Sequence, residues 1–261
     1  IMESKPLSQR PVRWLLWLSV PLITVALYAL TTVISGVSYN LAEQVASPLM
    51  RFDPDQAFLV ISIHHVFQAI AAFLLIALLA LVLRKKVPDF GFNKNELRFS
   101  IRSVLLFCGV WFVIQFALSY LLTRSGVVDA SFAYPLTARN FIGNFLFEIL
   151  LSGTSEEILF RAMTIPLMVL VFRTFMKKES TANIVAIACA TLIFMLAHIN
   201  FNLHPFAITH FNLAQQITCL IFGAFYGWLM VMTKSVVGPM LAHNLLNGVI
   251  TLCSLLISLI F

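Results

Sequence analysis

Seven long apolar runs, separated by short polar stretches, dominate the pattern of this chain. A helix needs about 20 apolar residues to cross the hydrocarbon core of a bilayer, and each run is close to that length or longer. The run at 141–172 is too long for one perpendicular helix and contains Gly153, so we expect it to be broken or strongly tilted. The pattern predicts an all-α fold, a polytopic transmembrane helical bundle of seven to eight helices. The runs lie at about 14–36, 57–83, 103–123, 141–172, 181–199, 213–233 and 236–261.

The composition supports this fold class. Hydrophobic residues make up 60% of the 261 positions and charged residues only 11%, whereas soluble domains carry about 25% charged residues. The first run follows a basic stretch, is longer than a typical signal-peptide core and lacks a clear small-residue cleavage site, so we interpret it as a retained span. The cysteines each stand alone in apolar stretches and are expected to pack as small core residues. They are Cys108, Cys189, Cys219 and Cys253.

The basic residues indicate how the chain is oriented. The net charge is +6, and the Lys and Arg residues concentrate in alternate loops between the apolar runs. Because cytoplasmic loops carry an excess of Lys and Arg, the N-terminus is predicted to be cytoplasmic in a multi-pass cell-membrane protein. No basic stretch outside the runs is interleaved with aromatic residues, so nucleic acid is not an expected partner. The basic segments are Lys5 to Arg13, Arg84 to Arg102, Arg173 to Lys178, and Lys234.

Four charged residues stand out because they lie inside an apolar run. Glu148, Glu156 and Glu157 are the only acidic residues placed in this way, and Arg161 is the one basic residue well inside a run. A charge at mid-bilayer costs about 2.5–3.5 kcal/mol on insertion scales. Several such groups within one run are therefore expected to be paired or functional.

The spacing of these charges suggests two roles. Glu157 and Arg161 are four residues apart, so they share a helix face and can form an ion pair. Glu156 points about 100° away on an α-helix and is left without that partner. A carboxylate in apolar surroundings with positive charge nearby suits a general base. The alternative is that the charges only lock helices together.

Two histidines supply further candidate chemistry. His198 ends the fifth run, and His243 lies one turn before Asn247 on the same face of the last run. Two His and a Glu could hold a metal ion with its water, or could hold a water molecule directly. The sequence leaves both possibilities open.

Other polar residues in and near the runs are expected to have structural roles. His64 and His65 are adjacent in the second run and point to different faces, and they are expected to pack. Glu148, one turn after Asn144, is interpreted as a packing or supporting polar residue. His204 is one of two His in an outer loop, the other being His210.

Three motifs in order resemble the CPBP family of intramembrane proteases, which includes CAAX proteases and bacteriocin-processing enzymes and is also called the Abi family. The family pattern is E-E-x-x-x-R, then F-x-x-x-H, then H-x-x-x-N, on successive helices. Ala162 departs from the pattern, since many members have Gly after the Arg. The resemblance covers about 140–255, so we predict an N-terminal transmembrane region of about three spans over 1–135 and a catalytic transmembrane core over 136–261. The matching segments are Glu156-Glu157-Ile158-Leu159-Phe160-Arg161, Phe194 to His198, and His243 to Asn247.

The resemblance implies an intramembrane endopeptidase that cleaves membrane-associated proteins or peptides. It implies that Glu156 activates water and that His198, His243 and Asn247 complete the site. The spacing argument above adds Glu157 and Arg161 as supporting residues. Membrane lipid and a peptide or membrane-protein substrate are the expected partners, and no eukaryotic sorting signal is evident, which favours a bacterial plasma membrane. The oligomeric state is left open.

The cofactor is left open as well. Zinc held by His198, His243 and Glu156 would be consistent with the usual catalytic pattern of three protein ligands and one water. A glutamate-activated water without metal is the alternative that the family also suggests. The sequence does not choose between them.

Other classes of function were weighed against this one. The principal alternative is a non-catalytic scaffold or bacteriocin-immunity protein of the same family. A transporter would predict inverted repeats, which the sequence does not show. Gly153-Thr154-Ser155 resembles the start of a rhomboid-type serine site, but Glu156 replaces the final Gly, and no Asp lies in a span to act as an aspartyl protease would.

Overall fold

The computed structural model of the protein describes residues 16–261. Within them the chain forms seven helical stretches and one small β-hairpin, which confirms the all-α prediction. The basic N-terminal segment Lys5 to Arg13, used above for orientation, lies outside the described residues. The helices are α1 Ser19–Ala46, α2 Leu59–Val82, α3 Leu97–Arg124, α4 over 138–172, α5 Glu179–Ala197, α6 Leu213–Thr233 and α7 Val237–Ile260.

Six of these helices are long and apolar enough to cross a membrane, by length and composition. They are all except α4. Short 3₁₀ turns precede or follow some of them, at Leu16–Leu18, Ser47–Phe52 and Val87–Phe90. The protein is accordingly a multi-pass membrane protein.

The helix α4 is continuous along its path but irregular in its winding. Its α-helical pieces are Ala138–Phe147, Gly153–Glu157 and Thr164–Phe172, and π-helical turns at Glu148–Ser152 and Ile158–Met163 join them. Such turns are rare and occur often at functional sites. The four charges of this run lie within or beside the two π-helical turns.

The helix α4 lies at the centre of the bundle. Its Gly153–Glu157 piece packs against α7 and α2, while its second π-helical turn contacts α2, α5 and α6. Around it, α1 packs on α2, α3 on α7, and α5 on α6. Fully buried apolar residues of α4, such as Leu159 and Met163, share one core with Leu27, Ala72 and Ile76 from the first two helices.

Close approach between α4 and α7 is made possible by Gly153. A Cβ at this position would lie 2.5 Å from the Cβ of His243 and 2.7 Å from the backbone nitrogen of Asn244. Asn244 then bonds α4 twice: its Oδ1 accepts from the Thr154 backbone N–H at 3.2 Å, and its Nδ2 donates to the Thr154 Oγ1 at 3.0 Å. Because Gly153 has no side chain, α7 can approach α4 closely enough to place His243 beside the carboxylates.

The connection before α3 fixes the beginning of α7. The Val236 backbone N–H donates to the carbonyl of Gly91 at 2.9 Å, the Ser235 hydroxyl donates to the carbonyl of Asn93 at 2.6 Å, and the Asn93 amide donates to the carbonyl of Lys234 at 2.8 Å. Gly91 has a φ of 95°, which favours glycine. These bonds tie two distant parts of the chain together where α7 starts.

The segment after α5 forms the only β-structure among the described residues. The strands β1 Asn200–Leu203 and β2 Phe206–His210 pair in antiparallel fashion. The sequence had indicated only a loop here. The hairpin joins α5 to α6 immediately after His198.

Candidate active site

Glu157 and Arg161 form the ion pair that their spacing predicts. The Arg161 Nη1 donates to the Glu157 Oε1 at 2.8 Å, and both side chains are completely buried. The intervening residues are π-helical, which advances about 80° per residue instead of 100°. Because four residues return close to the same face with either advance, the pair forms despite the irregular winding.

Further contacts hold the Arg161 guanidinium in place. Its Nη2 donates to the carbonyl of Gly223 at 3.4 Å. Its Cζ lies 4.4 Å from the centroid of the Phe194 ring and 5.0 Å from that of Tyr226. Cation–π contacts of this kind strengthen when they are desolvated. The buried cation is therefore surrounded by the carboxylate, one carbonyl and two aromatic faces.

Glu157 also binds His243. The His243 Nδ1 lies 2.8 Å from the Glu157 Oε1, and an ionised carboxylate can only accept, so the proton of this bond is on Nδ1. Tyr226 stacks on the imidazole with ring centroids 4.9 Å apart and planes 20° apart. The orientation of His243 is thereby fixed, and in its neutral form the Nε2 carries a lone pair.

Glu156 differs from Glu157 in its exposure and in its partners. Its side chain keeps 17% of its surface exposed, its Oε2 lies 3.8 Å from the His243 Nε2, and its Oε1 lies 3.9 Å from the His65 Nε2. Both distances exceed those of a hydrogen bond. Within residues 16–261, the buried Oε2 has no hydrogen-bond partner. Glu156 is the accessible carboxylate, flanked by two imidazoles.

His198 lies at the edge of this group. It is half-buried, directly after the end of α5, and its Nδ1 lies 2.8 Å from the Phe194 carbonyl. The Phe194 ring makes edge-to-face contacts with the rings of His198 and His243, with centroid distances of 4.7 Å and 5.8 Å respectively. Among the hydrogen bonds and ion pairs of the described chain, none joins His198 to Glu156. The two predicted histidines share one aromatic neighbour.

Asn247 has partners other than Glu156. Its Nδ2 donates to the Glu148 Oε2 at 2.8 Å and to the Ser152 Oγ at 3.0 Å. These bonds connect α7 to the first π-helical turn of α4, and the predicted role of Asn247 in the site stays a prediction. Glu148, interpreted from sequence as a supporting polar residue, accepts one of these hydrogen bonds.

In the part of the chain from 16 to 261, no group of three or more His, Cys, Asp or Glu side chains is arranged to hold a metal ion. His198, His243 and Glu156 as placed do not form a three-ligand set. The zinc site stays a prediction.

His65, which was expected from the sequence only to pack, lies beside Glu156 in the structure. It lies on α2, is 5% exposed, and faces the Glu156 Oε1. Gln68, one turn later, donates from its Nε2 to the Ser155 Oγ at 2.8 Å. The signal in the sequence was this pair of polar residues at helical spacing in a run that is otherwise almost wholly apolar.

Comparison with protein families gives a match over part of the chain. Residues 138–249 match the family model described as type II CAAX prenyl endopeptidase, Rce1-like. No curated protein and no solved structure matches the chain. The matched segment contains Glu156, His198, His243 and Asn247, whereas His65 lies outside it.

Proposed function

We propose that this protein is an intramembrane endopeptidase whose Glu156 activates the attacking water. The proposal starts from the match of residues 138–249 to the Rce1-like type II CAAX prenyl endopeptidase model and from the resemblance of the three motifs to those of the CPBP family. The domain supports an intramembrane protease as the kind of function. The glutamate mechanism and the class of substrate, a membrane-associated protein or peptide, are our proposal.

The observation that carries the proposal is the contrast between two adjacent carboxylates. Glu157 is fully buried and neutralised by Arg161 at 2.8 Å. Glu156 keeps 17% of its side-chain surface exposed, and among the described residues only two imidazoles, and neither Arg nor Lys, lie within ion-pair distance of it. A partly exposed carboxylate that no Arg or Lys neutralises suits a general base that receives a proton from water.

The proposed reaction begins with a water molecule beside Glu156. The carboxylate takes one proton while the water oxygen bonds to the carbonyl carbon of the scissile peptide, and the carbonyl π electrons move onto the oxygen. The tetrahedral intermediate then collapses: the C–N bond breaks, and the leaving nitrogen receives the proton from Glu156. Water is consumed, and Glu156 is regenerated as a carboxylate.

The other residues of the site act around this step. Arg161 holds Glu157, and Glu157 holds the His243 Nδ1–H, so the His243 Nε2 faces the Glu156 Oε2 as a second acceptor for the water. Asn247 positions α7 against α4 through Glu148. His198 is half-buried and lies directly after the end of α5.

The location proposed for the protein follows the distribution of basic loops. We place the N-terminus in the cytoplasm and the protein in a bacterial plasma membrane, with the lipid bilayer and a membrane-associated substrate as partners. Zinc held by His198, His243 and Glu156 is a further proposal, and metal analysis of the purified protein tests it.

The experiment that tests the proposal uses purified protein in liposomes. It is incubated with a library of membrane-proximal peptides that includes a farnesylated CAAX peptide, and products are identified by mass spectrometry. We expect discrete cleavage by the wild type and none by Glu156→Gln at normal folded yield. Glu179→Gln, at a half-exposed surface carboxylate, is the control and should retain full activity.

Two outcomes would contradict the proposal. Cleavage by Glu156→Gln at the wild-type rate would remove Glu156 from the chemistry. A folded wild type that cleaves nothing in the library would favour the scaffold or immunity alternative, in which the same buried charges serve packing alone.

A further inference from the structure

We propose that the hairpin formed by β1 and β2 lies in the interfacial layer of the bilayer, with its apolar face turned towards the acyl chains and its polar face towards water. The partner of this surface is lipid. The hairpin fills most of the connection between α5 and α6. The assignment goes beyond the proposed protease function and does not depend on it.

The two faces of the hairpin differ in polarity. Strand residues alternate between faces, and residues directly opposite one another on paired antiparallel strands share a face. Phe201 is paired with Ile208, and Phe206 lies two residues before Ile208, so these three side chains lie on one face. Asn202 is paired with Ala207 on the other face. The hairpin is therefore amphipathic.

The apolar face is left uncovered by the described residues. Every residue of β2 is exposed, with 72% of Phe206 and 56% of Ile208 accessible. Further exposed apolar side chains follow at Phe211 and Leu213. The rings of Phe201 and Phe206 stack on each other with centroids 6.2 Å apart. Grouped apolar side chains that remain exposed mark an interaction surface.

The connection that contains the hairpin carries no formal charge from acidic residues, Lys or Arg. From 199 to 212 the sequence contains no Lys, Arg, Asp or Glu, whereas the connection between α2 and α3 is rich in Lys and Arg. Charged side chains are costly in contact with acyl chains. A connection without them can approach the acyl chains at little cost.

The neighbouring helices place the hairpin at the membrane surface. Both α5 and α6 are long and apolar enough to cross the bilayer. Strand β1 begins at Asn200, shortly after α5 ends at Ala197, and α6 begins at Leu213, shortly after β2 ends at His210. A strand of this length extends about 17 Å. Its orientation therefore decides whether the hairpin stands in water or lies along the surface.

Two opposing constraints favour the interface. An isolated two-stranded hairpin is at best marginally stable in water, and its apolar face would be exposed there. The hydrocarbon core is also unfavourable, because each strand has an open edge with unpaired backbone N–H and C=O groups, and such edges do not occur against lipid tails. At the interface the edges stay hydrated, while the apolar side chains reach the acyl boundary, as those of amphipathic helices do to a depth of about 5–10 Å.

The base of the hairpin is attached to the helices. The Thr209 hydroxyl donates to the carbonyl of Asn200 at 3.2 Å, and the Nε2 of Gln216 on α6 donates to the carbonyl of His198 at 3.4 Å. The candidate site residue His198 thus lies at the foot of the hairpin. Contact of the hairpin with lipid would hold this residue near the membrane surface.

The experiment places a fluorescent probe at single positions of β2 in the complete chain, reconstituted in phosphatidylcholine liposomes. Cysteine is introduced at one position at a time and reacted with a small environment-sensitive fluorophore. The wild type, whose native cysteines are buried or half-buried, gives the background labelling. Fluorescence is quenched either by a lipid that carries a nitroxide or by iodide in the water. The substitutions are Phe206→Cys, Ala207→Cys, Ile208→Cys and Thr209→Cys.

The matched comparison is Ile208→Cys against Thr209→Cys, because the two residues are exposed neighbours on opposite faces. We expect the nitroxide lipid to quench probes at 206 and 208 several-fold more than probes at 207 and 209, and iodide to give the reverse pattern. A nitroxide near the headgroups should quench more than one at the bilayer centre, because the apolar face lies at the boundary. Each face supplies two positions, so a variant that fails to fold leaves the comparison intact.

Three results would overturn the proposal. Equal access of iodide to all positions would show that the hairpin stands in water. Protection of 206 and 208 from both quenchers would show that protein, such as a second copy of this chain, covers the apolar face. Strongest quenching from the bilayer centre would place the hairpin in the hydrocarbon core. None of these readouts uses peptide cleavage, so a wild type that cleaves nothing would overturn the protease function and leave this assignment standing.

Discussion

Replacing Arg161 by Ala is predicted to destabilise the protein strongly, because the substitution breaks a fully buried ion pair. The substitution leaves the Glu157 carboxylate fully buried, with His243 as its one charged or hydrogen-bonding partner in the described chain. Breaking a buried pair from one side costs about 3–5 kcal/mol. That range corresponds to an increase in the unfolding constant of roughly two to four orders of magnitude.

Two further losses add to this cost. The guanidinium also donates to the Gly223 carbonyl and contacts the faces of Phe194 and Tyr226. A desolvated cation–π contact contributes about 2 kcal/mol, although contributions from neighbouring groups do not add simply. We therefore take 3 kcal/mol as the lower bound expected for Arg161→Ala.

The assay is thermal unfolding of the purified protein in detergent, together with folded yield. The matched control is Arg173→Ala, since Arg173 pairs with Glu179 at 3.4 Å with both side chains more than half exposed. Exposed pairs contribute about 0–1 kcal/mol. We expect a large fall in melting temperature and yield for Arg161→Ala and little change for the control.

A double variant separates charge from packing. Arg161→Met with Glu157→Gln removes both charges and keeps much of the volume, and such replacements are often neutral or stabilising. The double variant should melt higher than Arg161→Ala. The reasoning is refuted if Arg161→Ala melts within error of Arg173→Ala, or if removing both charges is no better than removing one.

Two further predictions concern packing and metal. Gly153→Ala should destabilise by about 1–3 kcal/mol and lower cleavage, because its Cβ would press α7 away at His243. Gly36→Ala, where nothing lies within 4 Å of the new Cβ, should melt like the wild type; equal effects of the two would contradict the close-approach argument. If zinc is bound, metal analysis should show that His198→Ala removes both metal and turnover, while Asn247→Ala lowers turnover more than metal content. Full activity in metal-free protein with strong chelators present would eliminate the zinc version.

Much of the helical layout could be predicted from the apolar pattern, because helices that are buried in lipid or protein consist of long runs of apolar residues. The run predicted at 213–233 coincides with α6, and the fourth run was expected to be irregular. The winding of α4 was beyond prediction. A π-helical turn is set by the packing of neighbours rather than by local propensity, so nothing in the residues at Glu148–Ser152 marks it.

The candidate site was predicted in part for similar physical reasons. The pair formed by Glu157 and Arg161 follows from spacing, since four residues share a face in either winding. The bond from His243 to Glu157 joins residues 86 positions apart, and the approach of His65 to Glu156 joins α2 to α4. Contacts between distant helices depend on how the helices pack, and a motif on one helix does not show which helix will lie next to it.

The two π-helical turns of α4 have a consequence for how this protein can vary in length. Each holds a widened turn, one directly before the Gly153–Glu157 piece and one directly after it. Because a π-helical turn holds one residue more than an α-turn, deleting one residue inside either turn would let it close as an ordinary α-turn while the helix beyond keeps nearly the same orientation. A deletion within 158–160 would shorten the spacing of Glu157 and Arg161 from four residues to three, which still places both on one helix face. These two points are therefore places where a chain of this kind could change its length by one residue without losing its fold or its buried ion pair.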